Sequence, residues 1–501
     1  MTTSTDALRE HLLPSLEKLK EHAMETEEEF SSVIEKVQIG YRDSARNLAH
    51  YLALRRADVR ELQDELSFLG LSSLGRSESC VMSNLENVID ILRLITHDKR
   101  KAPSPVITSV NAHTGPMLLR EHARKLLGPP DANRAARIMV TMPSEASTNP
   151  RIIRDLMKAG MDIMRINMAH DGPDEWLAMI KHMRDAEQLT KRTCMVHIDL
   201  AGPKFRIGPM ERIRVKRGSR VRFVRGLDGC ACDMDDRTGE TLLHCCEPEA
   251  VYDAVRIGDP LWIDDGKIAA TVIEVTETGF LVKVTRTKHN GAWLRAEKGI
   301  NFPETKLELD ALTDEDVMNL TQMGRHADII GMSFVRTAQD VASLFEHMHR
   351  LDLMNRGVVA KIETRDGFEH LPQILFEGLR HPPFGIMVAR GDLAVEIGYE
   401  RLAEVQEEML WLCEAAHVPI IWATQVLEGM AKKGIPSRAE VSDAAMSVRA
   451  ECVMLNKGPY IVDTVQFLSG ILHRMAEHQS KKRTLLRKLS VSGVRQDMAT
   501  E

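Results

Sequence analysis

The chain has 501 residues, 43% of them hydrophobic and 28% charged, with a formal net charge of −7. That length exceeds one compact core and predicts two or three domains. The acidic balance gives no general footprint for nucleic acid or an anionic membrane surface. No run approaches the roughly 18 apolar residues of a membrane helix, and the opening MTTSTDALREHLL is too polar for a secretory signal, so a cytoplasmic protein is expected.

Aromatic residues make up only 4% while methionine is frequent at 27, so the cores should be aliphatic and sulfur-rich. Eight cysteines (Cys80, Cys194, Cys230, Cys232, Cys245, Cys246, Cys413 and Cys452) are sparse for the length, as in a reducing compartment. Cys230 and Cys232, followed by His244, Cys245 and Cys246, are zinc-ligand residue types. Their spacing fits none of the common finger patterns, and the reading is a loop and hairpin with free thiols.

Residues 1–130 read as a helical extension and linker. Leu12, Leu16 and Leu19 recur at helical spacing, as do Val59, Leu62, Leu66 and Leu69, and then Leu85, Val88, Ile89 and Leu92. The turn LGLSSLGRSESC offers a helix cap at Ser77 or Ser79. Residues 101–116 (KAPSPVITSVNAHTGP) read as a linker. These helices should dock on the rest of the molecule rather than form a free partner-binding arm.

From Arg137 the pattern changes to strand then helix, repeatedly. Strands are predicted at 137–142, 163–168 and 194–199. Residues 209–296 break the alternation with half-buried strands and turn signals at Asp265-Gly266 and Thr278-Gly279. They are expected to form a small inserted β-barrel that acts as a hinged lid. The alternation resumes with strands at 329–334, 358–363, 384–390, 419–424 and 452–456. Eight strand–helix units specify an α/β fold of the TIM (β/α)8 type, with its first part at 131–208 and its second at 297–480. The basic segment 481–501 reads as a surface tail.

In such a barrel the C-terminal strand ends carry the chemistry. Here they offer Arg165, Asn167 and His170, then Asp199, Lys204 and Arg206, then Ser333 and Arg336. Lys361, Glu363, Arg390, Asp392 and Thr424 complete the set. Two carboxylates suit octahedral Mg2+ or Mn2+, and several cations suit phosphate oxygens. A phosphorylated acid substrate with a divalent metal is the reading.

MRINMAH, HIDLAGPKFRIG, IDDGKI, KGINFP, GMSFVR, AKIETRDG, IMVARGDLAVEI, ATQVLEGM and PSRAEVSDAAMSV occur in one order along 137–480. In these pieces, their order and the place of the insertion, the chain resembles the pyruvate kinase family. The resemblance implies phosphoryl transfer from phosphoenolpyruvate to ADP, giving pyruvate and ATP, as the last step of glycolysis. It implies Glu363 and Asp392 as Mg2+ ligands, Lys361 beside the migrating phosphoryl group and Arg165 on the substrate phosphate. Asn167, His170 and Arg206 would place the nucleotide. The Gly391 and Asp392 backbone N–H groups would receive the substrate carboxylate, and Thr424 would lie near the carbon that is protonated. A homo-oligomer without nucleic-acid or membrane partners is implied. Lyase or phosphomutase chemistry on related substrates, or a non-catalytic regulatory role, are the alternatives.

Three departures stand out. The family commonly has a monovalent-cation site, of which Asn167 and Asp199 match, but Ala169, Leu200 and Lys204 stand where Ser, Thr and Glu are usual. A lysine at that position marks the potassium-independent type, so K+ should not be required. After the eighth strand Asn456-Lys457-Gly458-Pro459 replaces the usual Ser-Gly-Glu-Thr, which puts the usual proton-delivery contacts in doubt. The family's separate C-terminal domain, its effector site and its tetramer contacts are not expected.

Overall fold

The computed structural model describes residues 11–96, 109–225, 234–235, 240–244, 250–307, 309–481 and 483–484. The thiols of Cys230, Cys232, Cys245 and Cys246, the first half of the 101–116 segment (101–108) and the basic tail beyond 484 lie outside the described residues.

Eight parallel strands form a closed barrel. They are β1 (Arg137–Thr141), β2 (Ile163–Asn167), β3 (Met195–Asp199), β13 (Ile329–Met332), β14 (Gly357–Ile362), β15 (Phe384–Ala389), β16 (Ile420–Ala423) and β17 (Cys452–Leu455). The intervening numbers, β4–β12, belong to the insertion. Around the cylinder the order is β1-β17-β16-β15-β14-β13-β3-β2, so each strand neighbours the next barrel strand in sequence. Every residue of β1, β14 and β15 is buried. This is why these segments read as unbroken apolar runs rather than alternating ones.

Each barrel strand is followed by helical cover, beginning with α6 (Pro150–Ala159) and α7 (Pro173–Thr190). In α6, Asn149 caps the start by accepting from Arg151 N, and left-handed Gly160 ends it. The helical cover after β14 is split in two, Arg365–Glu369 and Leu371–Gly378, and the break falls just before Pro372. A helix the sequence did not reveal, α11 (Arg390–Ile397), starts directly at the end of β15. Its few residues carry too little periodicity to be noticed.

The insertion contains β4 (Ile213–Val215), β5 (Arg220–Val224), β6 (Met234–Asp235), β7 (Glu240–His244), β8 (Pro260–Ile263), β9 (Ile268–Thr276), β10 (Gly279–Arg286), β11 (Ala292–Leu294) and β12 (Ile300–Asn301). Among the described residues these strands do not close into the small barrel expected from sequence. They form an open sheet in the order β12-β8-β9-β10-β5-β7-β6, and β11 pairs with β4 in a separate ribbon. Alternation along the strands reports a half-buried sheet but not whether its edges meet. Phe223, Phe280, Val282, Leu261 and Ile268 form a core of their own here, distinct from that of the barrel. The two connections to the barrel run antiparallel as a stalk. Arg206 bridges Gly299, and Ile207 N donates to Lys298 O at 2.8 Å.

The N-terminal helices are α1 (Leu13–Glu29), α2 (Arg42–Arg56), α3 (Arg60–Phe68), α4 (Val81–Ile95) and α5 (Thr114–Leu127). Residues 114–116 therefore open a helix instead of ending a linker; Pro116 is tolerated in a first turn, where its missing N–H has no partner to lose. Leu16, Leu48, Leu66, Leu85 and Leu92 join one continuous core with the barrel helices. Phe30 stacks on Phe376, with ring centroids 5.0 Å apart. Neither Ser77 nor Ser79 caps α4. Asn47 of α2 does so from a neighbouring helix: its Oδ1 accepts from Val81 N at 2.9 Å, and its amide donates to Glu78 O and Ala415 O. One side chain thus caps α4 and ties the extension to the barrel, a contact that local spacing cannot reveal.

Helix α5 seals the N-terminal mouth of the barrel. Leu126 and Leu127 pack with Met139, Ile163, Ile329, Val359, Met387 and Ile421 in the lowest interior layer. Gly357 and Gly385 leave the space that Leu126 fills, since a Cβ at either would collide with it.

Two buried histidines complete the seam. His417 Nε2 donates to Ser79 O at 3.0 Å, which leaves Nδ1 to accept from Ser44 Oγ at 2.9 Å. His122 Nδ1 donates to His417 O at 2.7 Å. Burial pushes both imidazoles down to about 4. Between pH about 4 and 6.5 the unfolded chain therefore binds protons that the folded one does not, so stability falls as pH drops through that window. The loss should reach roughly 3 kcal/mol for each histidine. Denaturant midpoints measured from pH 7 to pH 4.5 should fall in the wild type and fall less in His417→Gln.

Candidate active site

The C-terminal ends of β2, β3, β14 and β15 bring five ionisable side chains together. In the register Asn167 lies opposite Asp199, with Arg165 opposite His197. Arg165 Nε donates to Asp199 Oδ2 at 3.0 Å, and Nη2 reaches the same oxygen. Its Nη1 donates to Thr141 Oγ1 at 2.8 Å. Lys361 Nζ donates to that Asp199 oxygen at 3.2 Å and to Ser333 Oγ at 2.7 Å, and lies 3.4 Å from Glu363 Oε1. All four charged side chains are buried.

Burial alone would raise the Asp199 carboxyl, but the adjoining charges of Arg165 and Lys361 outweigh it and hold it well below the carboxylate range. Burial likewise opposes the charge on Lys361, yet Asp199 and Glu363 hold it above its ordinary value. Lys361 is thus a permanently charged ammonium with no role as a base near neutrality. Burial raises Glu363, and the charge of Asp392 adds to the effect. Its Oε2 accepts from Phe334 N at 2.7 Å.

Asp392 sits in the first turn of α11. Lys204 Nζ lies 2.8 and 3.0 Å from its two oxygens, and Asn301 Nδ2 donates to it at 3.3 Å. The same Asn301 amide donates to Glu396 Oε1 at 3.0 Å. Burial pushes Glu396 up to about 7, with Asp392 one helical turn away contributing. Asn301 is in β12, so the stalk of the insertion touches the helix that carries Asp392. The Tyr399 hydroxyl, just past α11, donates to Asp265 O of the insertion at 3.0 Å. Sequence reasoning missed Thr141, Asn301 and Glu396. The i, i+4 spacing of Asp392 and Glu396 in GDLAVEI was the available signal.

Gly391 packs against Thr424, whose Cγ2 would lie 2.9 Å from a Cβ there. Thr424 and Gln425 take φ of 69° and 59°, a left-handed backbone that costs strain in non-glycine residues. Arg390 holds this turn, donating to Ala423 O at 2.7 Å and Thr424 O at 2.6 Å while paired with Asp443. The first turn of α11 has no side-chain cap, so its N–H groups, those of Gly391 and Asp392 among them, are available to an anion.

His170 and Arg206 lie to one side of this cluster. Burial, then the charges of Lys457 and Arg206, hold His170 below its ordinary range. Arg206 Nη1 donates to Glu297 O at 3.2 Å. Asn167 Oδ1 accepts from Ala169 N at 3.3 Å. Of the residues grouped as a monovalent-cation remnant, Asn167 and Asp199 are cross-strand neighbours, while Lys204 reaches Asp392.

Among the described residues no group of three or more His, Cys, Asp or Glu side chains converges as a self-sufficient metal cage. Glu363 and Asp392 are two hard oxygen donors, close enough that the charge of one opposes ionisation of the other. That donor set fits Mg2+ or Mn2+, which commonly take one or two carboxylates and complete their shell with substrate oxygens and water.

The profile described as pyruvate kinase, barrel domain, matches residues 133–465. A pyruvate kinase of Agrobacterium vitis is 32% identical over 360 residues, 70% of this chain and 71% of that protein. Pyruvate kinase PKLR of Rattus norvegicus is 32% identical over 379 residues, 72% of this chain and 63% of the relative. A pyruvate kinase of Geobacillus stearothermophilus is 31% identical over 350 residues, 68% of this chain and 57% of the relative. The match thus spans less than two thirds of the latter two proteins. With the barrel, the insertion point and these matches in agreement, the chain belongs to the pyruvate kinase family.

Proposed function

We propose that the chain transfers the phosphoryl group of phosphoenolpyruvate to ADP, giving pyruvate and ATP in the cytoplasm as the last step of glycolysis. The observation that carries this reading is the convergence of Arg165, Lys361, Glu363 and Asp392 at the C-terminal mouth of the barrel, the first three buried and hydrogen-bonded. The family membership supports it. Among the described residues no helix is long and apolar enough to cross a membrane.

Arg165 and Lys361 supply fixed positive charge where the phosphoryl group leaves the enol oxygen for a terminal ADP oxygen. Both are held by Asp199, so little reorganisation accompanies the transfer. Glu363 and Asp392 would hold Mg2+, or Mn2+ in its place; the metal supplies charge neutralisation on the phosphoryl oxygens. The first-turn N–H groups of α11 receive the substrate carboxylate. The methylene carbon of the enolate then takes a proton on the side of Thr424, which is fixed against Gly391.

Pyruvate should form from phosphoenolpyruvate only when ADP and Mg2+ are both present, read in a coupled assay. Turnover without ADP would favour lyase or phosphomutase chemistry, and tight ligand binding without turnover would favour a regulatory role. Lys361→Met should lower kcat by at least about 100-fold while leaving Mg2+ and phosphoenolpyruvate affinity near the wild type; equal loss of binding would make Lys361 structural. Lys204 stands at the position that marks the potassium-independent type, and its ammonium reaches Asp392, so initial rates in K+-free buffer should stay within about twofold of those with K+. A strong K+ requirement would overturn that assignment.

A further inference from the structure

Asp199 is held at one oxygen only. Its Oδ2 accepts from Arg165 and Lys361, whereas its Oδ1 is buried and has no hydrogen-bond partner among the described residues. A buried carboxylate oxygen is costly to leave unpaired. The torsion that sets the plane of a carboxylate is also broad. Two cations gathered on Oδ2 therefore do not by themselves fix how the group is turned, and a donor on Oδ1 would.

Two residues back along β3 stands His197, on the same face of the strand. It is fully buried, and among the described residues neither ring nitrogen has a hydrogen-bond partner. Met195, two residues further back, packs against the apolar layer closed by Leu126 and Leu127. His197 therefore lies between that floor and the charged layer, with Arg165 beside it on β2 and Ile329 on β13. Gly331 makes room for the ring. A Cβ there would lie 2.5 Å from His197 Cε1, 2.9 Å from its Nε2 and 2.7 Å from Asp199 Oδ1. The backbone of Gly331 is not left-handed, so what glycine provides at this position is space. Nε2 and Oδ1 thus face one another across the same small volume. Burial pushes the imidazole down to about 4, against the opposing charge of Asp199, so near neutrality the ring is uncharged and carries a single N–H. On Nε2 that proton meets the carboxylate oxygen; on Nδ1 it would leave a lone pair turned against it.

We propose that His197 is a positioning residue for the reaction: its Nε2–H, through one bridging water, holds the free oxygen of Asp199 and so fixes the carboxylate on which Arg165 and Lys361 rest. A water there satisfies two buried polar atoms that do not bond each other directly. The role in phosphoryl transfer rests on the reading given above. His197 touches no reacting atom; it acts through Asp199 on the two cations that face the phosphoryl group and the enol oxygen it leaves.

The test compares wild type, His197→Leu and His197→Gln. Leucine fills much of the space without a donor, and glutamine restores an amide N–H. Steady-state rates are measured alongside calorimetric titration with oxalate in excess Mg2+, oxalate being a planar dianion that resembles the enolate left when the phosphoryl group departs. His197→Leu should lower kcat and oxalate affinity by about tenfold each, with the KM for ADP unchanged, and His197→Gln should recover most of both losses. In wild type labelled with 15N-histidine, the ring signals that vanish in His197→Gln should report a neutral ring protonated at Nε2, a measurement that holds even where His197→Leu does not fold. A His197→Leu enzyme that loses only thermal stability, equal losses in both variants, or a ring protonated at Nδ1 would overturn the assignment. A wild type that forms no pyruvate would refute the phosphotransferase reading alone, because the oxalate titrations and the ring tautomer still read the hold of His197 on Asp199.

Discussion

The centre of the molecule depends on one shared oxygen. Asp199 Oδ2 accepts from both Arg165 and Lys361, two cations that would otherwise stand buried and opposed at the top of the barrel. Removing water from two such charges costs several kcal/mol each unless a partner restores the balance. Asp199 provides that partner from β3, and Glu363 adds a second negative charge from the end of β14. The closed barrel makes this possible because strands from opposite halves of the sequence end side by side. Rigid charge placement is in turn what phosphoryl transfer needs most from a protein.

Much of this is legible in the amino-acid sequence itself. Buried parallel strands announce themselves as apolar runs, and residues 358–362 and 384–389 are buried throughout. The charged residues that end those runs fall where barrel geometry brings them together. What local sequence could not carry was interaction across distance. Asn47 caps a helix far along the chain, and no local signal marks it. Asn301 sits in the short motif GINFP, whose own residues say nothing of the two carboxylates it meets. Alternation in the insertion reported strands faithfully, but closure depends on how edges meet, and among the described residues those strands form an open sheet.

The insertion and the barrel are separate in their cores yet joined near the reacting groups. The insertion keeps its own apolar cluster, so it can hold its shape as a unit. Its stalk places Asn301 on Asp392 and Glu396, and its Asp264–Lys267 turn rests on Tyr399. Displacement of the insertion would therefore be felt first by the helix that carries Asp392. The insertion and the proposed metal ligand are coupled through hydrogen bonds, not through a shared hydrophobic core.

The plug at the base of the barrel has a bearing on how the chain reaches its fold. Leu126 belongs to the segment just before β1, but its closest partners, Gly357 and Gly385, lie more than 200 residues further along. The lowest layer of the cylinder is complete only when both ends of this long loop have met. Such contacts are of high order, and the entropy of closing the loop is lost before they form. Emerging from the ribosome, α5 must wait with Leu126 and Leu127 exposed until β14 and β15 are made. The docked helices before it, with their own buried leucines, give that waiting segment something to fold onto in the meantime.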